Sequence, residues 1–198
     1  MSSARRWLPG AIPLGLLPIA LGALLVTAFA PFGWYPLALI IPVICLMALP
    51  SLAPGRAGRV GYLFGLGFFG AGVYWVYNSV HEFGQAPAAF AIGRTLVFVL
   101  FLALFPAIFA WTVSRFRLLS NATSAILAVP GLWVMLEWIR GWIFTGFPWL
   151  QLGYSQSDSP LGISFAPLLG VLGVSWVLML LAVAIAWLIK QRGCRSFP

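Results

Sequence analysis

Long stretches without a charged side chain constrain this fold more than any other feature. Residues 7–55 contain no Asp, Glu, Lys or Arg, and further charge-free stretches cover residues 60–80, 95–114, 118–136 and 159–189. Charged residues make up 7% of the sequence, against about 25% in soluble domains. So few charges could not cover the surface of a water-soluble domain, and the composition therefore indicates a membrane protein with several spans.

The lengths of these stretches predict helices. The first stretch can hold two helices of about 20 residues each, with a turn between them at Pro31, Gly33 and Pro36. The stretches are continuously apolar rather than alternating, which excludes the strands of a membrane barrel. We therefore predict an all-α, polytopic membrane helix bundle of about six transmembrane helices. The bundle would occupy residues 1–190, with spans at roughly 11–29, 35–50, 60–79, 90–113, 122–140 and 165–189, before a cytoplasmic tail at 191–198.

The basic residues predict the orientation of the bundle. With the N-terminus in the cytoplasm, only Arg94 and Arg140 fall on or near the outer side. Such a bias follows the positive-inside rule and places both termini in the cytoplasm. Ala28–Ala30 resembles a signal-peptide cleavage site, but Pro31 follows it, so we expect a retained first helix. The predicted inner side holds Arg5, Arg6, Arg56, Arg59, Arg115, Arg117, Lys190, Arg192 and Arg195.

The remaining reactive residues predict little chemistry of their own. The basic residues form no patch or stripe, so nucleic-acid binding is not expected. His81, the single histidine, lies beside Glu82 with no further cluster of ligands, and neither a metal site nor a cofactor is predicted. Cys45 and Cys194 lie far apart in the sequence, and a structural disulfide between them is not expected.

Glycines crowd the predicted third span, including Gly61, Gly65, Gly67, Gly70 and Gly72. The spacing of Gly61 and Gly65 is typical of helices whose backbones approach closely. The glycines therefore predict either a packing face within the bundle or a face that receives a lipid chain.

The end of the predicted fifth span and the segment after it are the strongest candidates for a functional site. Glu137 and Arg140 share one helix face, either as a self-neutralising pair or as a polar anchor for a headgroup or a neighbouring domain. Residues 143–158 then form the longest stretch between spans, and they are too apolar for an ordinary solvated loop. We predict that this stretch dips into the membrane, where its backbone groups need partners; an aromatic belt at the interface is the alternative.

The same region resembles a known family. Glu137-Trp-Ile-Arg-Gly-Trp142, followed by Thr145-Gly-Phe-Pro-Trp-Leu-Gln-Leu-Gly-Tyr-Ser-Gln156, closely resembles the membrane domain of bacterial apolipoprotein N-acyltransferases. Residues 28–32, 65–79 and 166–174 resemble further parts of that domain in the same order. The resemblance covers about residues 20–190.

The resemblance implies a multi-pass enzyme of the bacterial inner membrane. Members of this family transfer an acyl chain from a phospholipid to the N-terminal cysteine amine of a diacylated lipoprotein, through a thioester on the enzyme. Their catalytic Glu-Lys-Cys triad lies in a periplasmic nitrilase-like domain. Phospholipid, the lipoprotein N-terminus and membrane lipids are therefore the implied partners.

The sequence departs from the family pattern because it stops near the end of the sixth predicted span. The resemblance carries over no catalytic residue, and we expect this chain alone to be inactive because it is truncated. A separately encoded nitrilase-like domain would restore activity, and a small six-helix transporter or channel is the alternative function. The residues carried over as candidate substrate contacts are Gly146, Phe147, Pro148 and Trp149, with Glu137, Arg140 and Tyr154.

Overall fold

A computed structural model describes the backbone of residues 15–195 and the side chains through residue 191. Every regular element in this part of the chain is helical, which confirms the predicted all-α class. Short turns of 3-10 geometry lie at Leu49–Ser51, Ile143–Thr145 and Leu152–Gln156, and a wide π turn lies at Ser79–Phe83. The α-helices are α1 (Leu16–Val26), α2 (Leu37–Ala48), α3 (Pro54–Gly72), α4 (Trp75–Asn78), α5 (Ala88–Leu102), α6 (Leu104–Arg115), α7 (Ala122–Arg140) and α8 (Pro160–Arg195).

Helix α3 lies at the centre of the bundle, between α1 and α6. Its glycines allow the close approach, because a Cβ at Gly67 would lie 1.9 Å from the Ile19 carbonyl oxygen of α1. On the other side, a Cβ at Gly65 would lie 2.7 Å from the Ala103 Cα at the junction of α5 and α6. For Gly65 and Gly67 these contacts confirm the first interpretation, a packing face within the bundle.

Three helical segments are long and apolar enough to cross a membrane: Ala88–Arg115, which joins α5 and α6, Ala122–Arg140, and Pro160–Gln191. A fourth candidate is the bent pair Pro54–Gly72 and Trp75–Phe83, whose axes differ by 52°. The apolar helices Leu16–Val26 and Leu37–Ser51 are shorter. The structure therefore describes a membrane helix bundle, and part of the first predicted span, residues 11–14, lies outside the described residues.

Several helices begin or end at other residues than the predicted spans. The span predicted at 60–79 begins at Pro54 instead, because a proline suits the first turn of a helix and Arg56 and Arg59 remain exposed there. That span also breaks after Gly72. The last helix begins at Pro160 rather than 165, and the Ser159 hydroxyl accepts a hydrogen bond from the Gly162 amide at 3.1 Å. Its backbone is interrupted at Gly170, whose φ of 65° and ψ of −178° few other residues adopt.

The connections between the membrane-length segments gather in two places, which give the bundle two distinct ends. The turn between α1 and α2 meets residues 141–159 at one end, where the Gln156 side-chain amide donates to the Tyr35 carbonyl at 3.1 Å. We call it the site end. The opposite end brings together the α2–α3 loop, the α6–α7 turn and Lys190 of α8 around one cleft. We call it the basic end.

Candidate functional site

Residues 141–159 connect α7 to α8 at the site end, and we call them the return segment. The segment makes two 3-10 turns, and Phe144, Thr145 and Leu150 all have positive φ angles. Gly146 has a φ of 84°, and a Cβ there would lie 2.1 Å from the Gly141 carbonyl oxygen. Only glycine fits this position, because other side chains would meet both the backbone and an unfavourable φ. The segment is therefore folded tightly against the end of α7.

Arg140, on the last turn of α7, holds the first half of the return segment. Its side chain is 3% exposed. The guanidinium donates to the carbonyl oxygens of Phe147 at 3.1 Å, Leu150 at 3.4 Å and Trp149. It also lies 5.3 Å from the ring centre of Phe69. A buried cation needs hydrogen-bond acceptors, and the carbonyls of an irregular apolar segment need donors. The Arg140 guanidinium and these carbonyls therefore meet each other's hydrogen-bonding needs.

Glu137 lies one turn earlier and holds the second half of the segment. Its side chain is 4% exposed. Oε1 accepts hydrogen bonds from the Leu152 amide at 2.7 Å and from the Trp133 indole N–H at 2.9 Å. Oε2 is buried and has no hydrogen-bond partner among the described residues. Glu137 therefore fixes a main-chain amide of the return segment to the side of α7.

The sequence offered two interpretations of Glu137 and Arg140, as a self-neutralising pair or as an anchor for a headgroup or domain. No hydrogen bond within the described part of the chain joins them, although both line a small cavity of about 20 Å³. Each is instead bonded to the backbone of the return segment. Backbone groups of the segment therefore find protein partners, whereas its predicted dip into the membrane stays a prediction.

Further polar residues complete the anchoring, and among them Ser175 is one that the sequence had not indicated. Ser175 of α8 is fully buried, and its hydroxyl accepts a hydrogen bond from the Gly153 amide at 2.8 Å. Gln156 is also buried, and besides its bond to Tyr35 it donates to the Ser155 hydroxyl at 3.0 Å. The sequence could have indicated these residues as hydroxyl or amide groups within apolar stretches, because such groups form hydrogen bonds between membrane helices.

Four aromatic side chains form a cluster where the return segment meets α4 and α5. Phe147 stacks on Trp149 with ring centres 5.2 Å apart and meets Phe98 edge-on at 4.8 Å. Trp75 lies 5.7 Å from Trp149 and 6.3 Å from Phe147. We call these four residues the aromatic cluster. Trp149 is nevertheless 52% exposed, so its ring also offers an apolar surface to the surroundings.

A cleft of about 820 Å³ opens beside this cluster. Its walls come from the π turn after α4, from α5 and from the return segment. They are mostly apolar, and the polar groups among them include Arg94, Arg140, Ser79 and Thr145. A large, mostly apolar cleft with a few convergent polar groups is typical of a ligand-binding site. Such a site in a membrane bundle suits an amphiphilic ligand.

The seven candidate residues are placed differently with respect to this cleft. Gly146, Phe147 and Arg140 line it, and Phe98 and Arg94 join them as residues that the sequence had not indicated. Trp149 and Tyr154 are exposed and do not line it, and Pro148 is half-buried between Phe147 and Trp149. Glu137 lies behind the return segment, against α7.

These features define the class of protein. It is a multi-pass membrane helix bundle with a candidate ligand-binding cleft at one end. Comparisons with known proteins add the family. The model of the apolipoprotein N-acyltransferase N-terminal domain matches residues 21–184, so the chain belongs to this acyltransferase family. This finding supports the resemblance noted in the sequence and gives no support to the transporter alternative.

Curated relatives agree over nearly the whole chain. Apolipoprotein N-acyltransferase of Methylococcus capsulatus is 45% identical over 182 residues, which cover 91% of this chain and 36% of the relative. The enzymes of Coxiella burnetii and Pseudomonas syringae pv. tomato are 44% and 40% identical, over 89% and 97% of this chain. They are covered over 36% and 38% of their own lengths. The chain therefore spans little more than a third of the relatives that it matches.

Proposed function

We propose that this chain forms the membrane domain of an apolipoprotein N-acyltransferase in a bacterial inner membrane. In this proposal residues 1–190 make six spans, with α1 and α2 as the two shorter ones, and residues 191–198 form a cytoplasmic tail. The site end faces the periplasm, and the basic end and both termini face the cytoplasm. The family match and the concentration of arginines at the basic end support this arrangement.

The cleft at the site end is the observation that supports a lipid-handling role most directly. A phospholipid acyl donor and the diacylated N-terminus of a lipoprotein both carry long apolar chains, which the walls of the cleft would accept. Arg94 would lie where a phosphate headgroup could meet it, because it lines the cleft and is exposed. Gly146, Phe147, Pro148 and Arg140 would shape the wall, and Trp149 and Tyr154 would contact substrate or a catalytic domain at the rim.

The acyl-transfer chemistry itself would come from a nitrilase-like domain, encoded in a longer form of this protein or separately. Its cysteine thiolate would displace the lysophospholipid from the donor and form a thioester. The lipoprotein amine would then attack the thioester, release the thiolate and form an amide. The bundle would hold both lipid substrates beneath that domain, which supplies the positioning that such reactions require.

A chimaera tests this function. The chain is joined to the remaining C-terminal part of the Methylococcus capsulatus relative and reconstituted with radiolabelled phospholipid and a diacylated lipopeptide. We expect triacylated product from the chimaera and none from the chain alone. A Phe98→Ala chimaera, which removes a cleft wall, should lose most of the activity, whereas a control Arg56→Gln chimaera, altered at the basic end, should keep it. A folded but inactive chimaera would overturn the proposal, and product from the chain alone would show that the bundle is itself catalytic.

A further inference from the structure

A second cleft, of about 710 Å³, lies at the basic end, on the side of the molecule opposite the proposed substrate cleft. Three parts of the chain meet around it: the α2–α3 loop, the end of α6 with the α6–α7 turn, and the last turns of α8. Nothing in the acyl-transfer proposal uses this cleft. We call it the basic cleft.

Hydrogen bonds fix the walls of the basic cleft. The Ser114 hydroxyl at the end of α6 donates to the Leu52 carbonyl of the α2–α3 loop at 2.7 Å. The Ser124 hydroxyl on the first turn of α7 donates to the Leu118 carbonyl at 2.8 Å. Between them, Arg117 adopts a left-handed backbone conformation with a φ of 49°. The α6–α7 turn is therefore a defined backbone structure, from which Arg115 and Arg117 project.

The charges of the basic cleft are all of one sign. Arg115, Arg117 and Lys190 line it and are exposed, and no acidic side chain among its described lining residues offsets them. The three acids of the sequence, Glu82, Glu137 and Asp158, all lie at the site end. Cations gathered in this way repel one another and attract a phosphate group, with which guanidinium and ammonium groups form strong charge-assisted hydrogen bonds.

Apart from Ser114 and Ser120 the remainder of the lining is apolar, and the cleft lies where two membrane-length helical segments end. Leu49 and Val113 are buried at its wall, with Leu52 and Leu119 half-buried beside them. Arg115 ends the membrane-length segment Ala88–Arg115, and Lys190 lies at the end of Pro160–Gln191. Cations at the end of membrane helices, above apolar walls, match a ligand with a charged headgroup and an acyl tail.

We propose that the basic cleft binds an anionic phospholipid of the leaflet at that end of the bundle. The phosphate lies among Arg115, Arg117 and Lys190, and the first part of an acyl chain lies against the apolar wall. This site is separate from the substrate cleft, and its occupancy does not depend on acyl-transfer activity. The bound lipid offsets the repulsion among the three cations and ties the α6–α7 turn to α8.

Native mass spectrometry of the full chain in detergent tests the proposal. The probes are phosphatidylglycerol, phosphatidylcholine as the zwitterionic reference, and inorganic phosphate as the soluble one. We expect one phosphatidylglycerol to be retained in preference to phosphatidylcholine. In the variant Arg117→Gln/Lys190→Gln its affinity should fall about twenty-five-fold, since each basic side chain near a membrane surface contributes about fivefold.

A matched control separates a site from general surface charge. Arg56→Gln/Arg59→Gln removes the same charge from exposed positions on the first turns of α3, outside the lining of the basic cleft. This variant should retain the lipid with near-native affinity, and circular dichroism should confirm that both variants are folded. Equal losses in the two variants, or the absence of a preference for phosphatidylglycerol, would overturn the proposal. Inorganic phosphate that displaces the lipid at comparable concentration would also overturn it, because the apolar wall would then contribute nothing.

Discussion

Two buried ionisable side chains determine the path of the return segment, and they do so through main-chain groups. Arg140 supplies donors to carbonyls that no helix satisfies, and Glu137 supplies an acceptor to the Leu152 amide. In hydrocarbon surroundings an unsatisfied backbone group costs several kcal/mol. Buried charges therefore let an irregular, aromatic segment stay folded at the end of the bundle, where it forms one wall of the cleft at the site end.

Arg140→Met tests this role of the guanidinium. Methionine fills similar space but leaves the carbonyls of Phe147, Trp149 and Leu150 without their donor, so we expect a loss of about 3–5 kcal/mol in the free energy of unfolding. Hydrogen exchange at the amides of residues 146–152 should accelerate before global unfolding. Arg94→Met is the control, because Arg94 is an exposed arginine at the same end, and it should change stability little. Similar losses in the two variants would contradict the anchoring role.

Two substitutions of Glu137 separate the role of its hydrogen-bond acceptor from that of its negative charge. Oε1 accepts both hydrogen bonds, so Glu137→Gln can keep them, whereas Glu137→Ala removes both. We expect Glu137→Gln to remain within about 1 kcal/mol of the native stability and Glu137→Ala to lose about 2–4 kcal/mol. Thermal unfolding in detergent measures both. If Gln proves as damaging as Ala, the negative charge rather than the acceptor is what the site requires.

At the scale of elements, the glycines of α3 set the distance between helices. Gly67 faces α1 with no room for a Cβ, whereas Gly70 has nothing within 4 Å of the position that a Cβ would take. We expect Gly67→Ala to lose about 1–3 kcal/mol through overpacking. Gly70→Ala should gain about 0.5–1 kcal/mol, because alanine restricts the unfolded chain and favours the helix. Chemical denaturation of the two variants provides the test, and equal effects would show that α1 can move away from α3.

Helix boundaries show what the sequence could and could not predict. The span predicted at 122–140 matches α7, since Asn121 caps its first turn through a 2.9 Å bond to the Ser124 amide and Gly141 follows its end. Helix α3 (Pro54–Gly72) differs at both ends from the third span predicted at 60–79. Its charged first turn extends beyond the apolar stretch, and no residue in the sequence marks the bend after Gly72. Such bends depend on packing, here of Gly72 against the Leu150 side chain of the return segment.

The candidate site was predictable only in part, because packing between helices also determines which residues it contains. Its central residues, from Glu137 to Tyr154, stand in one continuous stretch of unusual composition, which the sequence analysis identified. Ser175, Trp75, Phe98 and Arg94 come from other helices and resemble ordinary span residues, so only the fold brings them to the return segment. Local composition therefore indicates where a site begins, whereas its opposite wall depends on which helices pack together.

Considered as a whole, the molecule is electrically polarised along the bundle. The acids lie at the site end, and the exposed Arg56, Arg59, Arg115, Arg117 and Lys190 lie at the basic end. Anionic lipid attracts this end and the membrane potential holds cations on the cytoplasmic side, so the asymmetry favours one orientation. In the proposed orientation, the cleft at the site end opens toward the periplasm and the basic cleft opens toward the cytoplasm.

Single cysteines can test this orientation. In a Cys45→Ala/Cys194→Ala background, Ser157→Cys places an exposed thiol at the site end and Ser120→Cys places one at the basic end. We expect a membrane-impermeant maleimide to label Ser157→Cys in intact spheroplasts. Ser120→Cys should react only after the inner membrane is permeabilised. Four of the proposed spans precede Ser120, so it lies on the same side of the membrane as the N-terminus, in the cytoplasm. The reverse pattern would show that the bundle has the opposite orientation in the membrane. Labelling of both positions from outside would show that the helices do not form the six proposed spans.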